Sequence, residues 1–421
     1  MTPPTNPPRK AMLVVFLVVF IDLLGFGIVL PVMPRQAEPY LGAKGLALSP
    51  AASGVAIGVL FSVFSLMQFV FSPVWGRISD RVGRRPVLLI SLLGSVVFYA
   101  LYGFAVTLPA ESAALALGLM LAARIGAGVA GASVGTAAAV IADCTTPERR
   151  AKGMALIGIA FGAGFTFGPL IAYFGLAAFD QQPWGVGALA SGLSLVALLL
   201  AVGIFQETRD PSNKAGKEFF SVARTAEVLR MPTVGPLVLI YFLAICAFAN
   251  LEATLALLTE AAFGMSVEDN FLVFAFVGAV LTFAGGLYRP LAKRGAEHRL
   301  LATGLVLMIL GLAGMAGVAW TADAGTGSKP MFYLAVSVAV VGFAFVNPSV
   351  SALVSKRADP ARQGEVLGVN QSFASLGRII GPFVGSVAFQ ADPRHATPYL
   401  LAVGLLLLVA AILPRVRGER P

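Results

Sequence analysis

The sequence has 421 residues, of which 57% are hydrophobic and only 12% are charged, with a formal net charge of +9. Soluble domains have about 25% charged residues, and a soluble core of this length has no room for so much apolar surface. The apolar residues form long blocks, and about 20 such residues cross a bilayer as a helix. Because these blocks are too long for barrel strands, the composition predicts an all-α membrane protein. Most Lys and Arg lie in short clusters between these blocks, without a separate basic domain, so the positive charge does not indicate nucleic-acid binding.

Twelve apolar blocks follow one another along the chain, each long enough to cross the hydrocarbon layer as a helix. The predicted spans are 12–33, 51–75, 86–107, 113–142, 151–175, 185–205, 233–258, 268–288, 299–320, 331–354, 364–389 and 396–414. The first block contains Asp22 and Pro31 and continues beyond Val32, which is typical of a spanning helix rather than a cleaved leader. Cys144 and Cys246 lack the spacing of a disulfide framework or a metal site.

The short links between the predicted spans alternate between basic and nearly uncharged segments. With the N-terminus in the cytoplasm, about 24 of the 30 Lys and Arg lie on the cytoplasmic side, and about four lie outside. Because Lys and Arg are enriched in cytoplasmic loops, this bias predicts that both termini are cytoplasmic.

A longer charged segment separates six predicted spans from the next six. We therefore predict an N-terminal six-helix bundle at 1–205, a cytoplasmic linker at 206–232 and a C-terminal six-helix bundle at 233–421. The linker is rich in both acidic and basic residues, and its second part, 217–230, is predicted to form an interfacial helix.

The two predicted bundles contain matching signals. Pro147 and Pro360 each begin a Pro-x-Arg triplet, and Pro169 and Pro382 each end a Gly-x-x-x-Gly-Pro segment. The second member of each pair lies 213 positions after the first, which is about half of the chain. A duplication of this kind places a substrate site between the halves, near the middle of the bilayer.

The link between the second and third predicted spans has the sequence GRISDRVGRR at residues 76–85. Its glycines suit a tight turn, its acid suits the capping of a helix N-terminus, and its cations suit that acid and lipid headgroups. The segment resembles the signature loop of the major facilitator superfamily, G-x-x-x-D-R-x-G-R-R. This resemblance implies a cytoplasmic gate that is latched in one state and released in another. The gate residues are Gly76, Asp80, Arg81, Gly83, Arg84 and Arg85. The alternative is a basic loop that only sets topology.

Further segments resemble motifs of the same family, and the resemblance covers nearly the whole chain. Arg124, followed by Ile-Gly-Ala-Gly on the fourth span, resembles the buried-arginine motif, and the fifth span resembles the antiporter motif. The antiporter-like residues are Gly158, Gly162, Gly164, Gly168 and Pro169. Ordinary close packing of helices is the alternative interpretation of these glycines. The first span, from Asp22 to Pro34, is most similar to drug:proton antiporters and tetracycline-efflux-like carriers. The third and ninth spans lack the acids of tetracycline carriers, which argues against a tetracycline–metal chelate as cargo.

Four ionisable residues fall well inside predicted spans: Asp22, Arg124, Glu252 and Arg378. Each charge at a helix centre costs about 3 kcal/mol on insertion scales, so each needs a partner or water. We favour the pairs Asp22 with Arg124 and Glu252 with Arg378, and these four residues are the proton-coupling candidates. A dry cavity raises the proton affinity of a carboxyl group, and a nearby guanidinium lowers it. A conformational change that alters either effect therefore changes the proton affinity. Structural anchoring is the alternative for each residue.

Some polar and aromatic side chains of the predicted spans are candidates for lining a substrate cavity. They are Gln68, Phe61, Phe64, Asn250, Asn347 and Gln371. Gln371 lies seven residues before Arg378 and so shares its helical face, whereas Asn250 and Glu252 point in different directions. For the aromatic residues, lipid-facing or core positions are the more common alternative.

These observations predict the major facilitator fold, an all-α membrane protein with twelve transmembrane helices in two pseudo-symmetric six-helix bundles. The resemblance implies a secondary active transporter, and proton-coupled multidrug-type export of amphipathic or cationic small molecules is our first hypothesis. A same-fold importer or facilitator of a metabolite, organic anion or lipid is the alternative. We expect a monomer in a bacterial-type cytoplasmic (inner) membrane, with a small-molecule substrate, protons and lipid as partners and no nucleic acid. The residue patterns of an enzyme, a metal site or a cofactor site are not recognisable in the sequence.

Overall fold

The computed structural model describes residues 9–144, 160, 163–164, 166–208, 222–292, 296–323, 328–358 and 363–417. Helices make up most of this part of the chain. In chain order they are α1 Arg9–Val29, α2 Met33–Leu41, α3 Pro50–Val82, α4 Arg84–Ala105, α5 Ala113–Ala130, α6 Val134–Cys144, α7 Thr166–Phe179, α8 Gly185–Ile204, α9 Val222–Arg230, α10 Gly235–Phe263, α11 Val267–Leu291, α12 Glu297–Asp323, α13 Lys329–Arg357, α14 Gln363–Ala391 and α15 Thr397–Arg417.

Eleven stretches of the described chain are long and apolar enough to cross a membrane, with α5 and α6 counted together. The shorter apolar helix α7, Thr166–Phe179, overlaps the end of the fifth predicted span, 151–175, and continues beyond it. A described helix therefore coincides with at least part of each of the twelve predicted spans. Several of them are longer than predicted, because α3 continues to Val82 and α10 to Phe263.

One short helix, α2, was missed by the sequence analysis, which ended the first span in this region. It starts next to Pro34, whose ring suits the first turn of a helix. Two polar side chains attach α2 to the first unit defined below. Tyr40 Oη donates to the carbonyl of Leu108 at 2.9 Å, and Gln36 Nε2 donates to the carbonyl of Pro183 at 2.9 Å. These contacts could not be read from local sequence periodicity.

The described chain divides by packing into two compact units. The first consists of Met1–Ala47 and Leu66–Phe219, and the second of Leu48–Ser65 and Phe220–Pro421. The predicted bundles follow chain order, whereas packing groups the first part of α3 with the second unit. There, Ser62 Oγ donates to the carbonyl of Ile379 on α14 at 2.6 Å.

Glycines explain why this part of α3 packs against α14. A Cβ built on Gly54 would lie 2.8 Å from the carbonyl oxygen of Ser386, and one on Gly58 would lie 3.0 Å from Cα of Phe383. The two helix backbones therefore approach closely only because both positions lack a side chain.

Each unit has its own apolar packing. In the first unit, buried side chains of α1, α4, α6 and α8 form one cluster, which includes Val15, Leu92 and Ile141. In the second unit, α12 and α13 pack backbone to backbone, since a Cβ on Gly304 would lie 2.7 Å from the carbonyl oxygen of Gly342. Close helix contact of this kind is the expected way to associate helices in lipid, where the hydrophobic effect does not drive association.

Candidate functional site

The predicted gate loop, residues 76–85, contains a single sharp turn at Gly83, between the end of α3 and the start of α4. Gly83 has a φ angle of +107°, which residues with a Cβ rarely adopt. A Cβ there would also lie 2.8 Å from Cδ of Glu207. Glycine is thus required at position 83 for two reasons: the positive φ angle, and the lack of space for a Cβ beside Glu207. Gly76, in contrast, lies in α3, and a Cβ on it would have no atom within 4 Å.

The carboxylate of Glu207 caps the N-terminus of α4. Its Oε1 accepts the backbone N–H of Arg84 at 2.8 Å, and its Oε2 accepts the backbone N–H of Arg85 at 3.0 Å. The first N–H groups of a helix lack partners in their own helix, and negative charge stabilises that end. The sequence analysis attributed such capping to the acid of the gate loop and assigned Glu207 to the linker.

The Arg84 side chain joins three helices of the first unit. Its Nη1 donates to Asp80 Oδ1 on α3 at 2.5 Å and to Ser79 Oγ at 2.6 Å, and its Nε donates to Asp143 Oδ2 on α6 at 3.0 Å. Arg84 is only 8% exposed, so water competes little for these bonds. We call Asp80, Arg84 and Asp143 the latch cluster.

The other two basic residues of the gate loop lie around this cluster. Arg85 Nη2 donates to the carbonyl of Val202 at 3.0 Å, near the end of α8. Arg81 is exposed at the end of α3. The structure thus brings Asp80, Gly83, Arg84 and Arg85 together with α6 and α8, two helices that are distant in the sequence.

Arg124 lies inside the first unit and is 2% exposed. It is within electrostatic range of Tyr99 and Tyr102, which lie one turn apart on α4. Tyr102 Oη donates to Gln36 Oε1 on α2 at 2.7 Å. Tyr99 packs against α1, because a Cβ on Gly25 would lie 2.6 Å from its Cζ. The guanidinium of Arg124 therefore has the phenols of α4 as polar neighbours.

Some predicted site residues lie outside the description. The backbone of Asp22 belongs to α1, but its side chain is not among the described ones, and Gly158 and Gly162 fall outside the described ranges. The predicted pairing of Asp22 with Arg124 therefore stays a prediction.

The described part of the antiporter-like motif packs against α1. A Cβ on Gly168 would lie 3.1 Å from Cα of Gly27, and one on Gly27 would lie 3.0 Å from the carbonyl oxygen of Gly164 and 3.6 Å from Cδ of Pro169. Three glycines on two helices thus meet without side chains between them. This geometry is that of close helix packing, as the alternative interpretation of the motif requires.

A cluster of polar side chains lies in the second unit. Glu252 on α10 and Arg378 on α14 are within electrostatic range of each other, and Arg378 is also near Tyr241. Tyr241 Oη donates to Asn347 Oδ1 on α13 at 2.7 Å, and Arg378 Nη2 donates to Ser375 Oγ at 3.4 Å. Among the described residues, no ion pair within 4.0 Å joins Glu252 to Arg378. This cluster places the Glu252 carboxyl group and the Arg378 guanidinium within electrostatic range, without an ion pair between them.

The remaining cavity candidates are dispersed. Gln68 Nε2 donates to the carbonyl of Gly131 in the first unit at 3.2 Å. Asn250 is 3% exposed, and its Nδ2 donates to the carbonyl of Pro398 on α15 at 2.8 Å. Gln371 is exposed. Phe61 and Phe64 are 4% and 5% exposed, in the part of α3 that packs with the second unit.

A family model described as the Major Facilitator Superfamily matches residues 15–382. The chain belongs to this superfamily. It is therefore a transporter and not an enzyme, and the predicted fold class and family resemblance are confirmed. It is a multi-pass integral membrane protein that takes a small-molecule substrate.

Relatives within the superfamily match over almost their whole length. The chain is 29% identical to the major facilitator superfamily domain-containing protein 10 of Bos taurus, covering 97% of this chain and 93% of that protein. It is 29% identical to the class E tetracycline resistance protein of Escherichia coli, covering 96% and 94%. The crystal structure of the human organic anion transporter MFSD10 (TETRAN) has a TM-score of 0.68 and 26% identity, covering 97% of this chain and 100% of that chain.

The sequence analysis missed two residues of the latch region, Glu207 and Asp143, as direct partners of Arg84. A signal exists for each in retrospect. Asp143 directly follows the fourth predicted span, 113–142, and Glu207 is the first acid after the sixth. Acids at these two helix ends can reach the gate loop only because the fourth and sixth spans end beside it, which a one-dimensional pattern does not reveal.

Proposed function

We propose that this chain is a proton-coupled exporter of amphipathic or cationic small molecules, working by alternating access between its two halves. The observation that carries the proposal is the Glu252–Arg378 arrangement in the second unit. The similarity to tetracycline resistance proteins supports efflux as the direction of transport.

The chemistry of this arrangement suits a proton site. A dry environment favours the neutral form of a carboxyl group, whereas a nearby guanidinium favours the ionised form. Glu252 and Arg378 lie on different helices, α10 and α14, so a relative movement of these helices changes the second effect. A conformational change would thereby bind or release a proton at Glu252. A cationic substrate that approaches the same carboxylate would compete with the proton, which produces exchange.

Asp22 is proposed as the matching acid of the first half, with Arg124 as its partner. Arg124 is buried beside the phenols of α4, and Tyr99 packs on Gly25, one turn from Asp22 on α1. The Asp22 carboxyl group would therefore lie on a helix, α1, that contacts Tyr99, a neighbour of Arg124.

The test uses purified protein in liposomes, with substrate uptake driven by an imposed pH gradient and proton movement followed by an internal dye. Glu252→Gln and Asp22→Asn are compared with wild type. We expect at least one of them to retain substrate binding while losing at least about 90% of the proton flux, since a neutral amide cannot carry the proton.

Glu111→Gln is the matched control, because Glu111 is exposed in a 3₁₀ turn before α5. It should transport like wild type. Full proton coupling in both Glu252→Gln and Asp22→Asn would sink the proton-site assignment, although the chain would remain a transporter.

We further propose that both termini are cytoplasmic, that the protein is a monomer and that it resides in a bacterial-type inner membrane. The division into 1–205, 206–232 and 233–421 accompanies this topology. The positive-inside distribution supports the orientation. Cysteines introduced at Lys44 and Lys329, both predicted to lie outside, should react with an impermeant maleimide in intact cells, and reaction of neither would reverse the topology.

A second candidate function is transport of an organic anion. It is favoured by the similarity to the human organic anion transporter MFSD10 and by Arg378, a cation beside Tyr241 and Asn347 that would suit a carboxylate. Thermal-shift screening with matched anionic and cationic amphiphiles distinguishes the two functions, since a bound ligand stabilises the fold. Stabilisation by anions alone, lost in Arg378→Gln, would replace the first proposal with the second.

A further inference from the structure

The fourth span is interrupted in the middle of the first unit. α5 ends at Ala130, residues Gly131–Ser133 form a 3₁₀ turn, and α6 starts at Val134. The residues of the turn are buried, and none of them is proline. A short 3₁₀ segment inside a helix often marks a hinge or a strained sequence.

Three consecutive backbone carbonyls at this interruption accept side-chain donors. Trp75 Nε1 donates to the carbonyl of Val129 at 2.7 Å, and Ser91 Oγ donates to that of Ala130 at 2.7 Å. Gln68 Nε2 donates to the carbonyl of Gly131 at 3.2 Å. In an uninterrupted α-helix each carbonyl accepts the N–H four residues later. The three side chains therefore offer these carbonyls an alternative to the helical ladder. They come from α3 and α4, not from neighbouring turns of the same helix.

The segment beyond the interruption is held at its other end by the latch cluster. α6 has 11 residues, and Asp143, the residue before its last one, accepts a hydrogen bond from Arg84. Trp75 immediately precedes the gate loop, and Arg84 ends its turn. α3 and α4 thus contact the interruption through Trp75, Ser91 and Gln68, and the turn between these two helices contacts the far end of α6 through Arg84.

We propose that residues 131–133 are a hinge and that α6 pivots on it as a rigid segment when the contact between Arg84 and Asp143 opens. Trp75, Ser91 and Gln68 are positioning residues, whose bonds to the carbonyls of 129–131 leave these carbonyls with a partner when bending breaks their backbone bonds. The proposal rests on the chain being a transporter with moving parts, and not on proton coupling or on the cargo.

The test measures one distance along the fourth span with spin labels. The chain has two cysteines, so Cys246→Ala leaves Cys144 at the end of α6 as the first labelling site. Gly118→Cys on α5 is the second, because a Cβ there would have no atom within 4 Å. The labelled positions are 26 residues apart, about 39 Å in a straight helix. Pulsed electron–electron double resonance measures distances of this size and can be applied to the full-length protein.

Opening the latch should reveal the hinge. With Asp143→Asn, we expect a second or broadened distance, shifted by about 3 Å or more, that the latched protein populates several-fold less. Combining Asp143→Asn with Trp75→Phe and Ser91→Ala removes two donors while keeping an aromatic ring at 75 and a small side chain at 91. Two carbonyls then lack a partner in the bent state, and the second population should shrink by at least about threefold. Restoring a hydroxyl with Ser91→Thr should recover part of it.

Two controls separate a hinge from general loosening. Ser194→Ala removes another buried serine hydroxyl, one that donates within its own helix α8, and should not change the distances. A label pair at Leu334→Cys and Ala352→Cys, in a background without native cysteines, reports on α13, a single helix from Lys329 to Arg357 that contains Pro348 but no 3₁₀ turn. This pair should give one distance throughout.

A single unchanged distance between the labels at 118 and 144, with and without Asp143, would overturn the hinge. Equal broadening with and without the Trp75 and Ser91 donors would overturn the positioning role. Neither result depends on transport or proton flux, so failure of the proposed function leaves this measurement interpretable.

Discussion

The two halves carry the same ion pair at the same place with opposite polarity. In the first half, Arg84 at the start of α4 binds Asp143 at the end of α6. In the second half, Glu297 at the start of α12 binds Lys356 at the end of α13. Glu297 lies 213 positions after Arg84, and Lys356 lies 213 positions after Asp143, the same interval that separates the repeated proline motifs. The two pairs thus share their location and have exchanged charges.

The exchange matters because helix ends carry partial charges, positive at the N-terminus and negative at the C-terminus. Glu297 and Lys356 each lie at the favourable end of their helices. Arg84 and Asp143 each lie at the unfavourable end, and Glu207 supplies the negative charge that α4 otherwise lacks. The second-half pair is thus suited to a permanent clamp, and the first-half pair to a contact that opens.

The surroundings reinforce this difference. Arg357, beside Lys356, donates to the carbonyl of Thr233 at 3.2 Å and contacts His298 Nε2 at 3.3 Å, so the clamp also holds the start of α10. α13 continues to this end as one helix, with Pro348 inside it, whereas the first-half chain reaches Asp143 through the 3₁₀ turn of the proposed hinge. One pair is therefore attached to a helix of 29 residues and the other to a segment of 11.

The largest expected effect is at Gly83, and the residue 213 positions later in the second half is Ala296. Gly83→Ala places a Cβ against Glu207 at a positive φ, and such backbone strain alone costs about 1–3 kcal/mol. We expect transport to fall by more than about tenfold and thermal stability to fall with it. Ala296→Gly, the matched change, should leave transport unchanged. Equal effects of the two substitutions on transport in liposomes would contradict the comparison.

The next effect separates a latch from a clamp. Asp143→Asn and Glu297→Gln neutralise equivalent acids in the two halves. Asp143→Asn should change the transport rate about tenfold, in either direction, because the balance between conformational states shifts by about 1.4 kcal/mol. Glu297→Gln should change transport less than about twofold and lower the stability by about 1 kcal/mol. Transport rates and melting curves of both variants check this, and the reverse assignment of effects would refute it.

A smaller effect measures how much the partial charges at helix ends contribute to stability. The double variant Glu297→Lys with Lys356→Glu restores an ion pair in the second half but gives it the polarity of the first. We expect it to be more stable than Glu297→Lys alone, since like charges no longer meet, yet less stable than wild type by about 1 kcal/mol. Thermal unfolding of the three proteins measures the difference. A double variant as stable as wild type would show that helix-end charge does not distinguish the halves.

The smallest effect sets a baseline for removing a carboxylate that has no latch or clamp role. Asp392, between α14 and α15, accepts from the amides of Arg394, Ala396 and Thr397 and from the Thr397 hydroxyl. Partial burial alone would raise its pKa, but these donors together hold the pKa below its ordinary value. A carboxyl with a lowered folded pKa stabilises the fold above its unfolded pKa of about 4, and this contribution is lost as the pH falls through the folded value. The melting temperatures of wild type and Asp392→Asn should therefore converge below about pH 4.

Much of the fold was readable from the sequence because membrane helices obey a simple rule. Long apolar blocks identified the spans, and the resemblance at residues 76–85 identified the superfamily. Helix ends were less predictable. α3 extends through most of the gate loop, and α2 follows the first span directly. Contacts such as the Asp80–Arg84 ion pair across the Gly83 turn, and the hydrogen bond of Tyr40 to Leu108, stabilise backbone beyond the apolar blocks.

The candidate site was predicted less completely. Asp80 and Arg84 were recognised from their motif, whereas Asp143 and Glu207 were not recognised as the partners of Arg84. The polar candidates also diverged. Asn250 bonds to Pro398 and Gln68 to the carbonyl of Gly131, while Asn347 bonds to Tyr241 in the group that includes Arg378. A polar residue in a span must find a partner, but its sequence neighbours do not indicate whether that partner is backbone or another site residue.

By itself, the sequence determined the membrane-spanning helices, the duplication at an interval of 213 residues and the inventory of charges available to each half. Composition and spacing suffice for these properties, because lipid rewards long apolar helices irrespective of their neighbours. Only the tertiary structure decided which charges meet, that Glu207 caps α4, and that the fourth span is interrupted while α13 is continuous. These outcomes depend on hydrogen bonds between residues up to about 120 positions apart, which form only after the helices have packed.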